Sequence, residues 1–385
     1  MYIKIGGGIK MLKTIYEKWN VKENMKGNGY EDIYHELNPM TREEFKLLEE
    51  DDRQAVVEKI FNIYRGRNIF PITYYTEQDC LQEIEKCVEK EVSFKDNVVN
   101  LSVKQGSNLC RFLFPNLIKV ECKGVVNNSP YAKFYDDYKL KKAIEFCLKF
   151  KSSSVICSPS CIRDGLDMIG GNVATNFKPM VAKALFEKYT PNNGVIYDFA
   201  CGFGGRMLGA LSSKNNYKYM GVDPCTETYE SLNILGSLIE KATNRQHIFK
   251  VYKVGNEDFT GWENTVDFSF SSPPYFTLEK YSDEDTQCYN KFTELEEWIE
   301  GYVRPTIRNI YHMLKHDRYY AVNIADFNLG NNKVTYVDEW IRISLEEGFE
   351  FHEQLYMSLQ ARRGSGHSEK NDKSKKEGIF VFYKR

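Results

Sequence analysis

The chain has 385 residues, 42% of them hydrophobic and 14% aromatic, with a formal net charge of -2. That length is enough for two domains or for one large domain with an appendage. The near-neutral charge excludes a global electrostatic case for a polyanion partner, so any nucleic-acid contact must come from local basic patches. No run of 18 or more apolar residues is present, which excludes an expected membrane-spanning helix.

The N-terminus "MYIKIGGGIKMLK" lacks the basic start, apolar run and small-residue cleavage site of a secretory signal. Ten scattered cysteines then read as reduced thiols in a cytoplasmic compartment. Cys157 and Cys161 lie four apart, but no second pair and no histidine cluster accompanies them, so ordinary thiols are preferred and no metal is expected.

The first half is read as a mostly helical region spanning residues 1–150. "MTREEFKLLEEDDRQAVVEKIFNIYRG" opens with Thr followed by Glu and then repeats apolar residues at helical spacing. "DCLQEIEKCVEK" and "DDYKLKKAIEFCLKF" follow the same pattern. Between them, "YRGRNIFP" and "GSNLCRFLFP" place Arg65, Arg67, Lys104 and Arg111 among aromatics, a mixture suited to phosphate contact and base stacking. This region is the expected element of nucleic-acid target recognition.

Residues 151–385 alternate between strands and helices. "GVIYDFA", "YKYMGVD", "HIFKVYKVG", "TVDFSFSS" and "RYYAVNIAD" read as strands. "GRMLGALSS", "TETYESLNILGSLIEKAT", "TELEEWIEGYVRPTIRNIYHMLK" and "YVDEWIRISLEEG" read as helices, and "FEFHEQLYMSLQ" with "GIFVFYKR" as an antiparallel hairpin. Such alternation predicts an α/β fold with a doubly wound, mostly parallel sheet, which binds ligands at the carboxyl ends of its strands.

The chemistry-bearing residues fall at those ends. "DFACGFGGR" begins with Asp198 at a strand end and passes through three glycines into a helix. Asp223 ends the next strand, where an acid accepts hydrogen bonds from a ribose diol. "SSPPYF" follows the fourth strand, and its two prolines cannot continue a sheet ladder.

The pair "DFACGFGGR" and "GVDP" resembles the cofactor site of class I S-adenosylmethionine-dependent methyltransferases, a fold with a seven-stranded sheet. The resemblance covers roughly residues 172–385. It implies that Asp198, Ala200, Gly202 and Gly204 form the turn around the methionine part. It implies that Asp223 holds the ribose and that Asp258, in "GNEDF", binds the adenine amine. "TNFKPMVAKALFEKY" resembles the segment that precedes this site, with Phe177 packing on the cofactor. "SSPPYF" resembles the signature of enzymes that methylate exocyclic base amines. By that resemblance Ser272 and the Pro273 carbonyl accept from the amine, Pro273 and Pro274 fix the backbone, and Tyr275 stacks on an extruded base.

The resemblance implies a DNA amino-methyltransferase of phage or bacterial type, cytosine N4 ahead of adenine N6, of the kind found in restriction-modification systems. An RNA guanine-N2 methyltransferase and a non-catalytic nucleic-acid-binding subunit are the alternatives. A nucleophilic role for Cys225, in "DPC", is disfavoured because a Pro-Cys nucleophile belongs after the fourth strand. A basic stretch, "ARRGSGHSEKNDKSKKEG", carries Arg362 and Arg363 and is a further candidate for phosphate contact.

Overall fold

The computed structural model describes residues 8–27, 29–30, 41–95, 97–99, 103–122, 128–150, 157–170, 173–329, 332–358 and 376–385. Among the described residues the chain forms two units, one of residues up to 79 together with 115–175, the other of 80–114 with 176–358 and 376–385. The division therefore differs from a single cut near residue 150. Residues 80–114 are helical in composition, yet they send two short strands, Phe94–Lys95 and Val98–Val99, onto the edge of the large sheet. They also end a helix, Glu77–Glu89, against Lys183. The buried Lys183 ammonium donates to the carbonyls of Cys87, Val88 and Lys90 at 2.9, 3.0 and 2.8 Å. Those carbonyls have no partner inside their own helix, so the lysine satisfies them.

The first unit is mainly helical among the described residues. Thr41 caps the helix Arg42–Leu47 in a reciprocal box with Glu44. Glu50–Arg67 and Asp137–Phe150 are its longest helices among the described residues. No described helix is long and apolar enough to cross a membrane. All ten cysteines are buried and free of disulfides.

The second unit is built on seven main strands: β1 Val195–Asp198, β2 Lys218–Val222, β3 Phe249–Tyr252, β4 Val266–Ser271, β5 Leu314–Asn323, β6 Glu350–Ser358 and β7 Lys376–Lys384. Their order across the sheet is β6-β7-β5-β4-β1-β2-β3. The ladders from β3 to β5 are parallel, and β7 runs antiparallel to both neighbours. This is the doubly wound, mostly parallel seven-stranded sheet that the alternation of strands and helices predicts. Every residue of the central β4 is buried, which is why its sequence reads as an unbroken apolar and small-residue run.

Helices cover both faces. On one side, α1 (Pro179–Tyr189) sets Phe186 against Phe268 and Phe270, both at 6.0 Å. The helix α2 (Gly205–Leu211) packs beside it, and α3 (Thr226–Thr243) ends at Asn244 in the left-handed conformation. On the other side, α4 (Arg304–Met313) and α5 (Tyr336–Glu346) bury Ile307, Ile310, Trp340 and Ile343 over Tyr197, Val222 and Tyr320. The long helix expected before β5 is broken into Leu295–Trp298, a π-helical turn Ile299–Val303 and α4. Pro305 explains the break, because it supplies no donor to the preceding turn.

In this sheet the order reverses between β1 and β4. In sheets of this kind, ligands bind at the carboxyl ends of the strands where the order reverses.

Candidate functional site

The loop after β1 is shaped by its glycines. Gly202 and Gly204 adopt φ of +55° and +73°, the left-handed region in which a Cβ is strained. A Cβ on Gly202 would make only ordinary contacts, with the Arg206 guanidinium at 3.8 Å and the Ala200 carbonyl at 3.9 Å, so it is the positive φ rather than crowding that favours glycine there. One residue beyond Gly204 the opposite holds: a Cβ on Gly205 would lie 1.9 Å from the Phe177 carbonyl oxygen. Only glycine lets α2 start this close to the segment before α1. That segment is pinned by Asn176, which donates to the Phe203 carbonyl at 2.8 Å.

Asp198 is fully buried, and its carboxylate is engaged within the protein. It accepts from Arg206 Nε at 2.9 Å, from the Tyr219 hydroxyl at 2.8 Å and from the Ala200 N–H at 3.4 Å. Arg206, 4% exposed, also donates to the Ala200 carbonyl, and its guanidinium lies 5.8 Å from the Phe177 ring centre. A buried charge is tolerable only when paired and hydrogen-bonded, and this pair is both. The arrangement fixes the loop from below while Ala200 and Gly202 reach the surface.

Asp223 closes the other side. Its carboxylate accepts from the N–H of Gly202 at 2.9 Å and of Cys225 at 3.0 Å. Burial pushes its pKa up to about 7, although both N–H donors and Arg206 pull it down. The Asp223 carboxylate thus lies just past the end of β2 with two backbone N–H donors and no cation bonded to it among the described residues. Burial and the neighbouring Asp223 also push the Cys225 thiol upward, which leaves it a poor nucleophile.

The loop after β4 adjoins this one. Ile196 lies in register with Phe268, and the Ser271 hydroxyl donates to the Ala200 carbonyl at 3.1 Å. Ser272 follows, partly exposed, then the buried Pro273 and partly exposed Pro274 and Tyr275. The Tyr336 hydroxyl donates to the Pro274 carbonyl at 3.3 Å. The Tyr275 ring meets Phe327 and Tyr336 edge-on, with centroids at 5.9 and 5.6 Å. Phe276 then takes φ of +47°, strain for a bulky side chain. Its burial against Trp298, at 5.6 Å, holds it there. The Ser-Ser-Pro-Pro-Tyr segment is therefore locked at both ends.

Phe177 is partly buried, with its ring edge-on to Phe270 at 5.2 Å. Asp258 lies in the turn after β3, is exposed, and ion-pairs with Lys291. The expected cofactor residues thus divide into two groups. Phe177, Ala200 and Gly202 are partly exposed and Asp258 is exposed, whereas Asp198, Gly204 and Asp223 are buried.

The expected nucleic-acid contacts have partners within their own units. Arg65 ion-pairs with Asp137 at 2.7 Å and lies over Phe61 and Phe134. Arg67 donates to the Gly29 carbonyl at 2.8 Å and lies over Tyr30. Arg111 donates to Asn108 at 3.2 Å. Arg362 and Arg363 lie outside the described residues.

Several residues of the site carried no separate signal in the sequence. Arg206 was visible only as the end of a glycine-rich string, and Tyr219 only as a strand residue. Glu284 caps α3 by accepting from Thr226 N at 2.9 Å and Thr226 Oγ1 at 2.6 Å. Burial raises the Glu284 pKa, but these bonds outweigh it and hold the carboxyl below its usual range. No spacing rule links it to position 226, because the contact is tertiary.

No protein-family model and no curated protein matches the chain by sequence. Among solved structures it is similar to geranyl diphosphate methyltransferase in complex with S-adenosylmethionine, at 12% identity and a TM-score of 0.38, over 54% of this chain and 85% of that one. It is similar to the 1,6-didemethyltoxoflavin-N1-methyltransferase of Burkholderia thailandensis with bound 1,6-didemethyltoxoflavin and S-adenosylhomocysteine, at 10% identity and a TM-score of 0.35, over 54% and 77% of the two chains. It is also similar to the [4+2]-cyclase SpnF, at 14% identity and a TM-score of 0.33; the match takes in 46% of this chain and spans 58% of the cyclase's length.

Proposed function

We propose that the chain transfers a methyl group from S-adenosylmethionine to an exocyclic base amine of DNA, with cytosine N4 favoured over adenine N6. The observation that supports this most is the juxtaposition across the switch point. The Gly202 backbone and Asp223 stand on one side, Ser272-Pro273-Pro274-Tyr275 on the other, and the Ser271–Ala200 hydrogen bond ties them together.

The residues fit the cofactor. Gly202 offers a partly exposed, turned backbone, Phe177 offers an aromatic ring, and Asp223 offers a carboxylate suited to a ribose diol. When bound, S-adenosylmethionine supplies an electrophilic methyl group on a sulfonium.

The protein's own residues address the nucleophile. The lone pair of an aromatic amine is delocalised into its ring, so the amine attacks poorly. On this reading the Ser272 hydroxyl and the Pro273 carbonyl accept the two amine hydrogens, which favours a pyramidal nitrogen with a localised lone pair. The prolines and the strained Phe276 keep those acceptors in place before the base arrives, so no reorganisation is needed during reaction. Tyr275 receives the extruded base. No strong base is required at the outset, because the amine becomes acidic only after alkylation.

The test is direct. Purified chain is incubated with labelled S-adenosylmethionine and either duplex DNA or transcribed RNA, and the digested nucleosides are separated. Label in N4-methyldeoxycytidine, or secondarily in N6-methyldeoxyadenosine, is expected. Label confined to RNA nucleosides would replace DNA by the RNA alternative, and label in neither would sink the reading.

A further inference from the structure

Half of the large hydrophobic side chains exposed among the described residues fall within residues 131–150: Tyr131, Tyr135, Tyr138 and Phe150. The stretch belongs to the first unit. Single exposed rings are ordinary, but a concentration of them marks an interaction site.

Two helices dictate the exposure. The helix Pro130–Tyr135, capped by Ser129 through the Ala132 N–H, buries Pro130, Lys133 and Phe134. The Phe134 ring meets Phe70 at 5.3 Å, and the Lys133 ammonium donates inward to the Leu166 carbonyl at 3.1 Å. Tyr131 and Tyr135, four apart, therefore share the outer face, with ring centroids 4.7 Å apart. The helix Asp137–Phe150 buries Leu140, Ala143, Ile144, Cys147 and Leu148. Tyr138 and Lys142, again four apart, are turned to solvent. Tyr138 is the most open of the rings, 69% exposed. Its Cα lies at most about 11 Å from that of Tyr135, three residues away.

Cations border these rings. Lys119 Nζ lies 5.8 Å from the Tyr131 ring centre, and Lys142 Nζ 5.7 Å from that of Tyr138. Residues 115–150 carry seven lysines against four acids, in a chain whose net charge is -2. Glu145 accepts from Lys142 at 3.2 Å and from Lys149 at 2.5 Å, and one carboxylate cannot neutralise both. Asp137 is taken by Arg65 at 2.7 Å. Exposed ion pairs contribute little, so a phosphate can replace the carboxylate at Lys142.

We propose that the face formed by Tyr131, Tyr135 and Tyr138, with Lys119 and Lys142, binds an unpaired strand of DNA, its bases stacked on the tyrosines and its phosphates on the lysines. Aromatic faces stack on any base, and cations beside them follow the backbone. In a duplex the base faces are covered by their neighbours, so this surface favours a strand that is open. A second copy of this chain is a poor occupant, because two such faces would set lysine against lysine. The nucleic-acid contact of the first unit thereby moves from Arg65 and Arg67, which are engaged internally, to the tyrosines. The choice of DNA rests on the methyltransferase reading; the stacking surface does not.

Fluorescence anisotropy of the full chain tests this with a labelled single strand of DNA, the same sequence as a duplex and the same sequence as RNA, from about 50 to 200 mM salt. The single strand should bind at least about 10-fold more tightly than the duplex. Tyr131→Ala and Tyr138→Ala should each weaken it by about 5- to 100-fold, the loss of one stacked base, while Tyr138→Phe stays within about 3-fold. Lys119→Ala and Lys142→Ala should each lower the salt slope for the single strand by about 0.7. The four substituted side chains are exposed, so melting should match the parent's. Parental affinity in both tyrosine-to-alanine variants, or tighter binding of the duplex, overturns the stacking surface. Tighter binding of RNA than of DNA overturns DNA as its occupant. The expected binding losses with no methyl transfer by the parent to any base overturn the methyltransferase reading alone.

Discussion

The Ser271 hydroxyl donates to the Ala200 carbonyl at 3.1 Å, and this bond joins the end of β4 to the loop after β1. Ser271 is fully buried, and the same carbonyl also accepts from Arg206. The loop after β1, its buried ion pair and the Pro-Pro segment are thus one connected unit. Ser271→Ala removes the bridge and leaves Ala200 with Arg206. The expected loss of stability is about 1 kcal/mol, measured by urea denaturation, with a lower kcat and nearly unchanged cofactor affinity. Wild-type stability and rate would show that the two loops are held independently.

The Asp198–Arg206 pair predicts a larger effect. Both residues are buried, so removing the guanidinium leaves a carboxylate with only the Tyr219 hydroxyl and the Ala200 N–H. Arg206→Leu should cost about 3–5 kcal/mol by denaturation, because an unpaired charge stays in the core. Asp198→Asn in the same chain should recover part of the loss, since the neutral amide needs no cation. A loss below about 1 kcal/mol for Arg206→Leu alone would mean that the loop does not depend on the pair.

Much of this was legible in the sequence. Thr226–Thr243 forms a helix over the expected stretch, and the final hairpin is antiparallel as its alternation implies. Asp198, Asp223 and Ser272 were visible because each ends an apolar run, and strand ends in a parallel sheet face one crevice. Residues 80–114 were hidden because helical periodicity reports a buried stripe and not the unit against which that stripe is buried.

Asp223 gives the site a pH dependence with a definite sign. Its folded pKa of about 7 lies above the unfolded value, so folding binds a proton between about pH 4 and 7 and its contribution to stability falls across that window. Hydroxyl donors of a ribose require the ionised carboxylate. S-adenosylmethionine affinity should therefore rise with pH up to about 7 and then level off, and it should be roughly tenfold weaker at pH 6 than on the plateau. Calorimetric titration across pH 5.5–8.5 checks this, with Asp223→Asn expected to be weak and flat. A parent profile that is flat, or that weakens with rising pH, would remove Asp223 from the cofactor contact.

Tyr275 separates stacking from packing. Tyr275→Phe keeps the ring and its contacts with Phe327 and Tyr336, so DNA affinity and turnover should stay near parental values. Tyr275→Ala removes a base-stacking surface worth about 1–3 kcal/mol and should weaken DNA binding accordingly. Fluorescence anisotropy with labelled duplex DNA reads both variants. Equal affinity for Tyr275→Ala and the parent would confine this residue to the aromatic core.

The most direct test of the central claim is the single-turnover rate of methyl transfer to DNA for the parent chain and for Ser272→Ala, each shown by melting to be folded and by titration to bind S-adenosylmethionine. The account predicts methylated cytosine or adenine with the parent. With Ser272→Ala it predicts unchanged cofactor affinity and a transfer step slowed by about 10- to 100-fold, because the serine contact matters most as the nitrogen becomes pyramidal. Equal single-turnover rates for the two chains would contradict it, and would leave Ser-Ser-Pro-Pro-Tyr as only a way to end a strand.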